Sequence, residues 1–144
     1  YKTHMMQNYG AGVQACYRGP RLYDTPETQA AVTEVIQWYK KYRDILNSDM
    51  IHLRRPDARD WDGFIHVNPH KKEKGLAMFF NPTHQEITRT IHIPLYYAGL
   101  TQTARIREKE QKPVTYKLNR DYTVELTVKI PANGYTWYVV EAAD

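Results

Sequence analysis

Hydrophobic and polar positions change their period once along this chain, near residue 48. Before that point Val32, Val35, Ile36, Tyr39, Tyr42 and Leu46 recur at three- and four-residue spacing, with Ile45 beside them. That is the apolar stripe of an amphipathic helix. Glu34, Gln37, Lys40, Lys41, Arg43 and Asp44 take the other faces. Thr25 suits the N-cap and Pro26 the first helical position, where its missing N–H costs nothing. Glu27 favours the positive end of the helix dipole. Asn47-Ser48-Asp49 ends the pattern, so a helix is predicted over 26–46. Its stripe is broad enough to need a sizeable partner surface. Residues 1–23 are punctuated by Gly10, Gly12, Gly19 and Pro20 and read as irregular, with 13–17 as a short strand or extended segment.

From residue 50 the period falls to two. Short strands are predicted at 50–53, 64–67, 87–93, 103–109 and 114–118. Residues 75–80 are apolar on both faces, as suits a central strand covered on both sides. Residues 122–130 alternate without a break. Tyr122, Val124, Leu126, Val128 and Ile130 share one face; Thr123, Glu125, Thr127 and Lys129 share the other. Pro131-Ala132-Asn133-Gly134 reads as a turn that returns 135–141 as a hairpin partner. Tyr135, Trp137 and Val139 would then share a face at the centre of the core. Seven or eight strands at roughly ten-residue spacing read as an antiparallel β-sandwich. The expected fold class is therefore mainly β, with one long α-helix ahead of the sandwich.

The chain has 144 residues, room for one domain. Hydrophobic residues are 42% and charged residues 25%, which excludes disordered, collagen-like and coiled-coil classes. No apolar run approaches the ~18 residues of a membrane-spanning helix. The single cysteine, Cys16, excludes an intrachain disulfide and a cysteine-based zinc cluster. A net charge of +4 is too mild for a dedicated nucleic-acid binder. Neither nucleic acid nor membrane is an expected partner. The first residue is Tyr1, so a longer parent polypeptide is expected.

Tests for chemistry come out bland. Asp57, Asp60, Asp62 and Gly63 resemble a calcium loop, but aligning Gly63 with the loop glycine puts Ala58 at the first ligand position and Pro69 at the bidentate glutamate position. His66 and His70 straddle Pro69 and lack helical spacing. No metal site and no cofactor is expected. There is no Gly-x-Ser-x-Gly, and Ser48 is the only serine. No carboxylate pair has a reason to be buried, so no catalytic residue is assigned. Gly10-Ala11-Gly12 lacks the third glycine of a dinucleotide loop. The basic runs Arg54-Arg55 and Lys71-Lys72-Glu73-Lys74 read as solvated faces.

The aromatics are the distinctive feature: 12 tyrosines and 3 tryptophans. Such rings present a flat apolar face and a polar rim, suited to the C–H face of a sugar. Trp61, Tyr96, Tyr97, Tyr135, Trp137 and Tyr138 all fall in the β region, where about half must point inward. Trp61, Tyr96 and Tyr97 are the candidates for sugar stacking.

The helix Trp38-Tyr39-Lys40-Lys41-Tyr42-Arg43-Asp44-Ile45-Leu46-Asn47-Ser48-Asp49 leads into strands carrying Gly75-Leu76-Ala77-Met78-Phe79-Phe80-Asn81-Pro82 and Pro94-Leu95-Tyr96-Tyr97-Ala98-Gly99-Leu100. Over residues 26–141 this resembles the C-terminal end of a bacterial α-galactosidase-like glycoside hydrolase. There, the last helix of a catalytic (β/α)-barrel is followed by an all-β domain. The resemblance implies that 1–48 are the tail of a barrel, with 26–46 its last helix, and that 49–144 are the C-terminal β-sandwich domain. It implies a non-catalytic role, packing on and stabilising the barrel of the same polypeptide. Barrel acids sit on earlier strands, so this chain would not itself be an enzyme. If 13–17 is a barrel strand, Tyr17, Arg18 and Arg21 lie near the parent's active site. The alternative is a carbohydrate-binding module that presents its aromatics to a polysaccharide. Without its barrel, the exposed helix face would favour self-association.

Overall fold

The computed structural model describes residues 2–13 and 24–143. Its helices are α1 (Lys2–Gly10) and α2 (Pro26–Leu46). Its strands are β1 (Asp49–Arg54), β2 (Asp62–Val67), β3 (Glu73–Phe80), β4 (Ile87–Pro94), β5 (Thr103–Glu108), β6 (Val114–Lys117), β7 (Thr123–Ile130) and β8 (Tyr135–Glu141). A short 3-10 turn, Tyr96–Ala98, lies between β4 and β5. The periodicity thus locates α2 and each strand to within a residue or two. The Thr25 hydroxyl accepts the Thr28 N–H at 3.1 Å, as an N-cap should.

The strands form two antiparallel sheets. One has the order β1-β2-β3-β8-β5-β6; the other is the pair β4-β7. Between them lies the sandwich core. Ile65, Phe79, Ile106, Tyr138 and Val140 of the large sheet meet Ile91, Ile93, Val124, Leu126, Val128 and Ile130 of the small one. The opposite face of the large sheet is not open to water. Leu76, Met78, Phe80, Trp137 and Val139 pack there against Met5, Met6, Val35, Tyr42, Ile45 and Leu46. The architecture has three layers: helices, large sheet, small sheet. β3 and β8 are covered on both faces, which explains why residues 75–80 show no alternation.

Three expectations are corrected. First, the stretch 1–23 is not irregular throughout: among the described residues a short helix stands ahead of the long one. Residues 2–10 are helical, and their end is a Schellman motif: Gly12 N–H bonds Tyr9 O at 3.0 Å and Val13 N–H bonds Asn8 O at 2.9 Å. Gly12 has φ +73°, and a Cβ there would lie 2.3 Å from the Leu46 carbonyl oxygen. Nine residues with Met5 and Met6 as neighbours give no stripe to read. The segment 14–17 lies outside the described residues, and Val13, the last residue of the Schellman motif, has no regular structure.

Second, β7 and β8 do not form a hairpin. β7 pairs with β4, from Ile87↔Ile130 to Pro94↔Thr123. β8 lies between β3 and β5 in the other sheet. The chain changes sheet at 131–134. Asn81, 2% exposed, holds this crossing. Its Nδ2 donates to the carbonyls of Gln85 (2.7 Å), Ile130 and Pro131 (both 3.1 Å). Its backbone N–H bonds Gly134 O at 2.9 Å. Trp137 and Val139 consequently face the helices, while Tyr138 and Val140 face the sandwich core.

Third, Tyr122 belongs to the β6–β7 turn and is 38% exposed, not inward-facing. The α2 stripe meets the chain's own sheet through Val35, Tyr42, Ile45 and Leu46. The Tyr42 hydroxyl adds a polar tie: it donates to Glu110 and accepts from Arg107 Nη2 at 3.0 Å. Ile36 and Tyr39, at the edge of the stripe, stay half-buried.

Candidate functional site

Large hydrophobic side chains exposed among the described residues are Val13, Met50, Tyr96, Tyr97, Val114 and Tyr122. Tyr96 touches the other two tyrosines of this set. Tyr96 and Tyr97 meet edge to face with centroids 5.3 Å apart, and Tyr96 lies 5.2 Å from Tyr122. Tyr96 is 56% and Tyr97 67% exposed. They form an aromatic ledge at one end of the sandwich.

The ledge is built on buried neighbours. Leu95 and Ala98 flank the exposed pair and are fully buried, and Leu100 is nearly so. Gly99 closes the turn with φ +78°. Its N–H bonds Tyr96 O at 2.9 Å, and a Cβ there would sit 2.7 Å from Pro69 Cβ. Leu95 N–H bonds Tyr122 O at 2.9 Å, which ties the 3-10 turn to the β6–β7 turn. Within that second turn Tyr122 N–H returns to Asn119 O at 2.9 Å, and Tyr122 takes φ +64°. A bulky residue in the left-handed region is uncommon, since glycine usually fills this position. The backbone accepts that strain where it sets the Tyr122 ring against Tyr96.

Clefts flank the ledge on two sides. One, of about 670 Å³, is lined by Asn47, Ser48, Asn68, Pro69, His70 and Tyr97 among others. The second, of about 460 Å³, is lined by Gln102, Lys117, Leu118, Asn119, Arg120 and Tyr122 with Thr101 and Thr103. Amide and hydroxyl groups, with the Asp49 carboxylate in the first cleft and Lys117 and Arg120 in the second, therefore surround exposed ring faces. Such a surface can stack a flat C–H face and hydrogen-bond hydroxyls around it.

The other predicted residues separate from this group. Trp61 is half-buried; its ring meets Phe79 edge-on at 5.9 Å, and the Arg54 guanidinium lies 5.9 Å above it. It packs at the rim of the core. Tyr17, Arg18 and Arg21 lie outside the described residues. Tyr122 was missed because unbroken alternation absorbed it into the strand; the neighbouring Asn119-Arg120-Asp121 turn was the available signal.

Two of the acids near Trp61, Asp57 and Asp60, are committed elsewhere. Asp57 accepts Arg54 Nη2 at 2.9 Å and the N–H groups of Arg59 and Asp60. The Arg54 pairing, then these N–H groups, hold its carboxyl well below the usual range. Asp60 pairs with Arg89 at 3.1 Å. Burial pushes the Asp62 carboxyl up.

Neither a family model nor a curated protein sequence matches the chain. Solved structures do. A GH27 β-L-arabinopyranosidase from Geobacillus stearothermophilus superposes with TM-score 0.62 at 11% identity, over 99% of this chain and 30% of that one. α-Galactosidase I from Mortierella vinacea gives 0.60 at 12% identity, over 96% and 34%. An α-amylase from Geobacillus thermoleovorans gives 0.52 at 10% identity, over 86% and 25%. The likeness is one of fold, and it agrees with the α-galactosidase-like resemblance read from the sequence. This chain spans about a third or less of the proteins it resembles.

Proposed function

We propose that this chain is the non-catalytic C-terminal β-sandwich unit of a glycoside hydrolase, packed on the catalytic barrel of the same polypeptide. The observation that carries the reading is the coverage: nearly the whole chain superposes on under a third of an arabinopyranosidase. Residues 1–48 would be the barrel's tail and 49–144 the sandwich. The inner face of α2 is taken by the large sheet. Its outer side, with half-buried Tyr9, Ile36 and Tyr39 beside Lys40 and Arg43, is the surface left for the barrel. Tyr17, Arg18 and Arg21, which follow the first helix and precede the second in sequence, would then approach the parent's active site.

Aryl α- and β-glycosides test the reading. The full polypeptide should turn over at least one, and the 144-residue chain none. Turnover by the short chain that disappears in Asp60→Asn or Asp62→Asn would overturn it.

A second reading is favoured by the exposure of Tyr96, Tyr97 and Tyr122 and by the contacts Tyr96 makes with the other two rings. In it the same unit also holds a carbohydrate on the tyrosine ledge. The two readings are compatible, because the ledge and the α2 outer side are built from different elements.

A further inference from the structure

We propose that the ligand of the tyrosine ledge is an acidic oligosaccharide, with sugar rings on Tyr96, Tyr97 and Tyr122 and an anionic substituent held by Lys117 and Arg120. The proposal rests on the carbohydrate-binding reading above and adds the chemical class of the ligand.

Charge carries it. The cleft beside Tyr122 is lined by two cations, Lys117 and Arg120, and by no carboxylate. None of the ion pairs among the described residues uses either cation. The nearest acid in sequence, Asp121, pairs with neither cation and turns its Oδ1 to Thr123, accepting the hydroxyl at 2.7 Å and the N–H at 3.2 Å. An arginine fork and a lysine point charge that make no ion pair among the described residues are suited to hold an anion. Here they lie beside an aromatic ring in one cleft. Gln102, Asn119, Thr101 and Thr103 line the same cleft and can pair with hydroxyls. Leu118 forms its floor, 8% exposed, with its N–H bonded to Gln102 O at 2.8 Å.

A neutral sugar would use the ring and the amides and leave both cations idle. A free anion would use the cations and leave the rings idle. A sugar bearing a carboxylate or sulfate uses both sets at once. A purely apolar protein partner fits less well, since this exposed cluster consists of tyrosines rimmed by polar groups.

Isothermal titration of the chain at low salt tests the proposal. The probes are tetragalacturonic acid, a sulfated galactan tetrasaccharide, neutral galactotetraose and tripolyphosphate. At least one acidic sugar should bind about tenfold more tightly than the neutral one, the scale expected from two exposed charge contacts. The comparison of carboxylated and sulfated probes identifies the substituent. Lys117→Gln with Arg120→Gln should bring the acidic sugar down to the neutral level. Tyr122→Gly and Tyr97→Ala should weaken both sugars.

Equal binding of neutral and acidic sugars would overturn the acidic assignment and leave the carbohydrate reading standing. Tripolyphosphate binding as tightly as the acidic sugars, with no loss in the tyrosine variants, would overturn it as charge attraction alone. Failure of every sugar probe would overturn both.

Discussion

Nε2 of His66 lies 2.6 Å from the carbonyl oxygen of Gly10, across 56 residues of chain. The bond joins β2 to the C-terminal end of α1. On its other side Nδ1 of the same ring lies 3.3 Å from Ser48 O, at the end of α2. One buried imidazole thus sits between both helix ends and the large sheet, and in its neutral form it donates its single N–H to one of the two carbonyls. It is the polar counterpart of the methionine and tyrosine packing that covers the sheet's outer face.

This position makes stability pH-dependent. Burial holds the His66 pKa below the ordinary histidine value, outweighing the two carbonyl contacts. The unfolded chain therefore takes up the proton first as pH falls. The contribution is fully present above about pH 6.5, the ordinary unfolded value, and is lost as pH falls from there toward the folded pKa. Urea midpoints should drop on acidification through this window, and His66→Gln should flatten that part of the curve. Parallel curves for the two proteins would contradict the assignment.

Asn81 should be among the least replaceable polar residues. Its side chain donates to three carbonyls and accepts from Thr83 N–H (2.9 Å) and Thr83 Oγ1 (2.7 Å). Asn81→Ala leaves buried carbonyls unpaired, at a cost of ~1–3 kcal/mol. Asn81→Asp, which turns a carboxylate toward carbonyl oxygens, should cost more. An Asp variant as stable as wild type at neutral pH would contradict the account of the sheet crossing.

Leu126 and Thr127 are neighbours on β7 with opposite environments, 3% exposed for Leu126 and exposed for Thr127. Leu126 sits opposite Ile91. Leu126→Ala should cost ~2–5 kcal/mol through lost burial and the cavity left behind. Thr127→Ala should stay within about 0.5 kcal/mol. Comparable shifts in a denaturant titration would contradict the register of β7.

Tyr122 offers a cleaner separation of stability from binding. Its left-handed backbone costs a non-glycine residue roughly 1–2 kcal/mol. Tyr122→Gly removes that strain along with the ring, so its urea midpoint should stay level or rise. Tyr122→Val keeps the strain, worsens it by β-branching and should lower the midpoint. A glycine variant as unstable as the valine variant would contradict the strained-turn reading.

The residues show what the amino-acid pattern makes legible. α2 is readable because a cap, a proline and a long stripe agree over 21 residues. β1 through β8 are readable because alternation and turn residues bound them locally. Pairing is not local. Val124, Leu126, Val128 and Ile130 reveal which face of β7 is buried but carry no mark that β4 is the partner. The proximity of β8 in sequence suggested a hairpin, while Asn81, some fifty residues upstream of Ile130 and Pro131, directs the chain into the other sheet. α1 escapes because its burial comes from two adjacent methionines and its end from Gly12 against Leu46, a tertiary contact. The ledge was half legible. Tyr96 and Tyr97 stand out by residue type, whereas Tyr122 joins them through a backbone conformation unusual for tyrosine.

The central claim is that this chain is one unit of a longer glycosidase. Immunoprecipitation from the source cells, with an antibody raised against the 144-residue chain, tests it most directly. The share of 30% that the chain covers in the arabinopyranosidase predicts a captured polypeptide roughly three times longer, carrying glycoside hydrolase activity. Capture of a polypeptide of this chain's own length, with no such activity in the precipitate, would contradict the account.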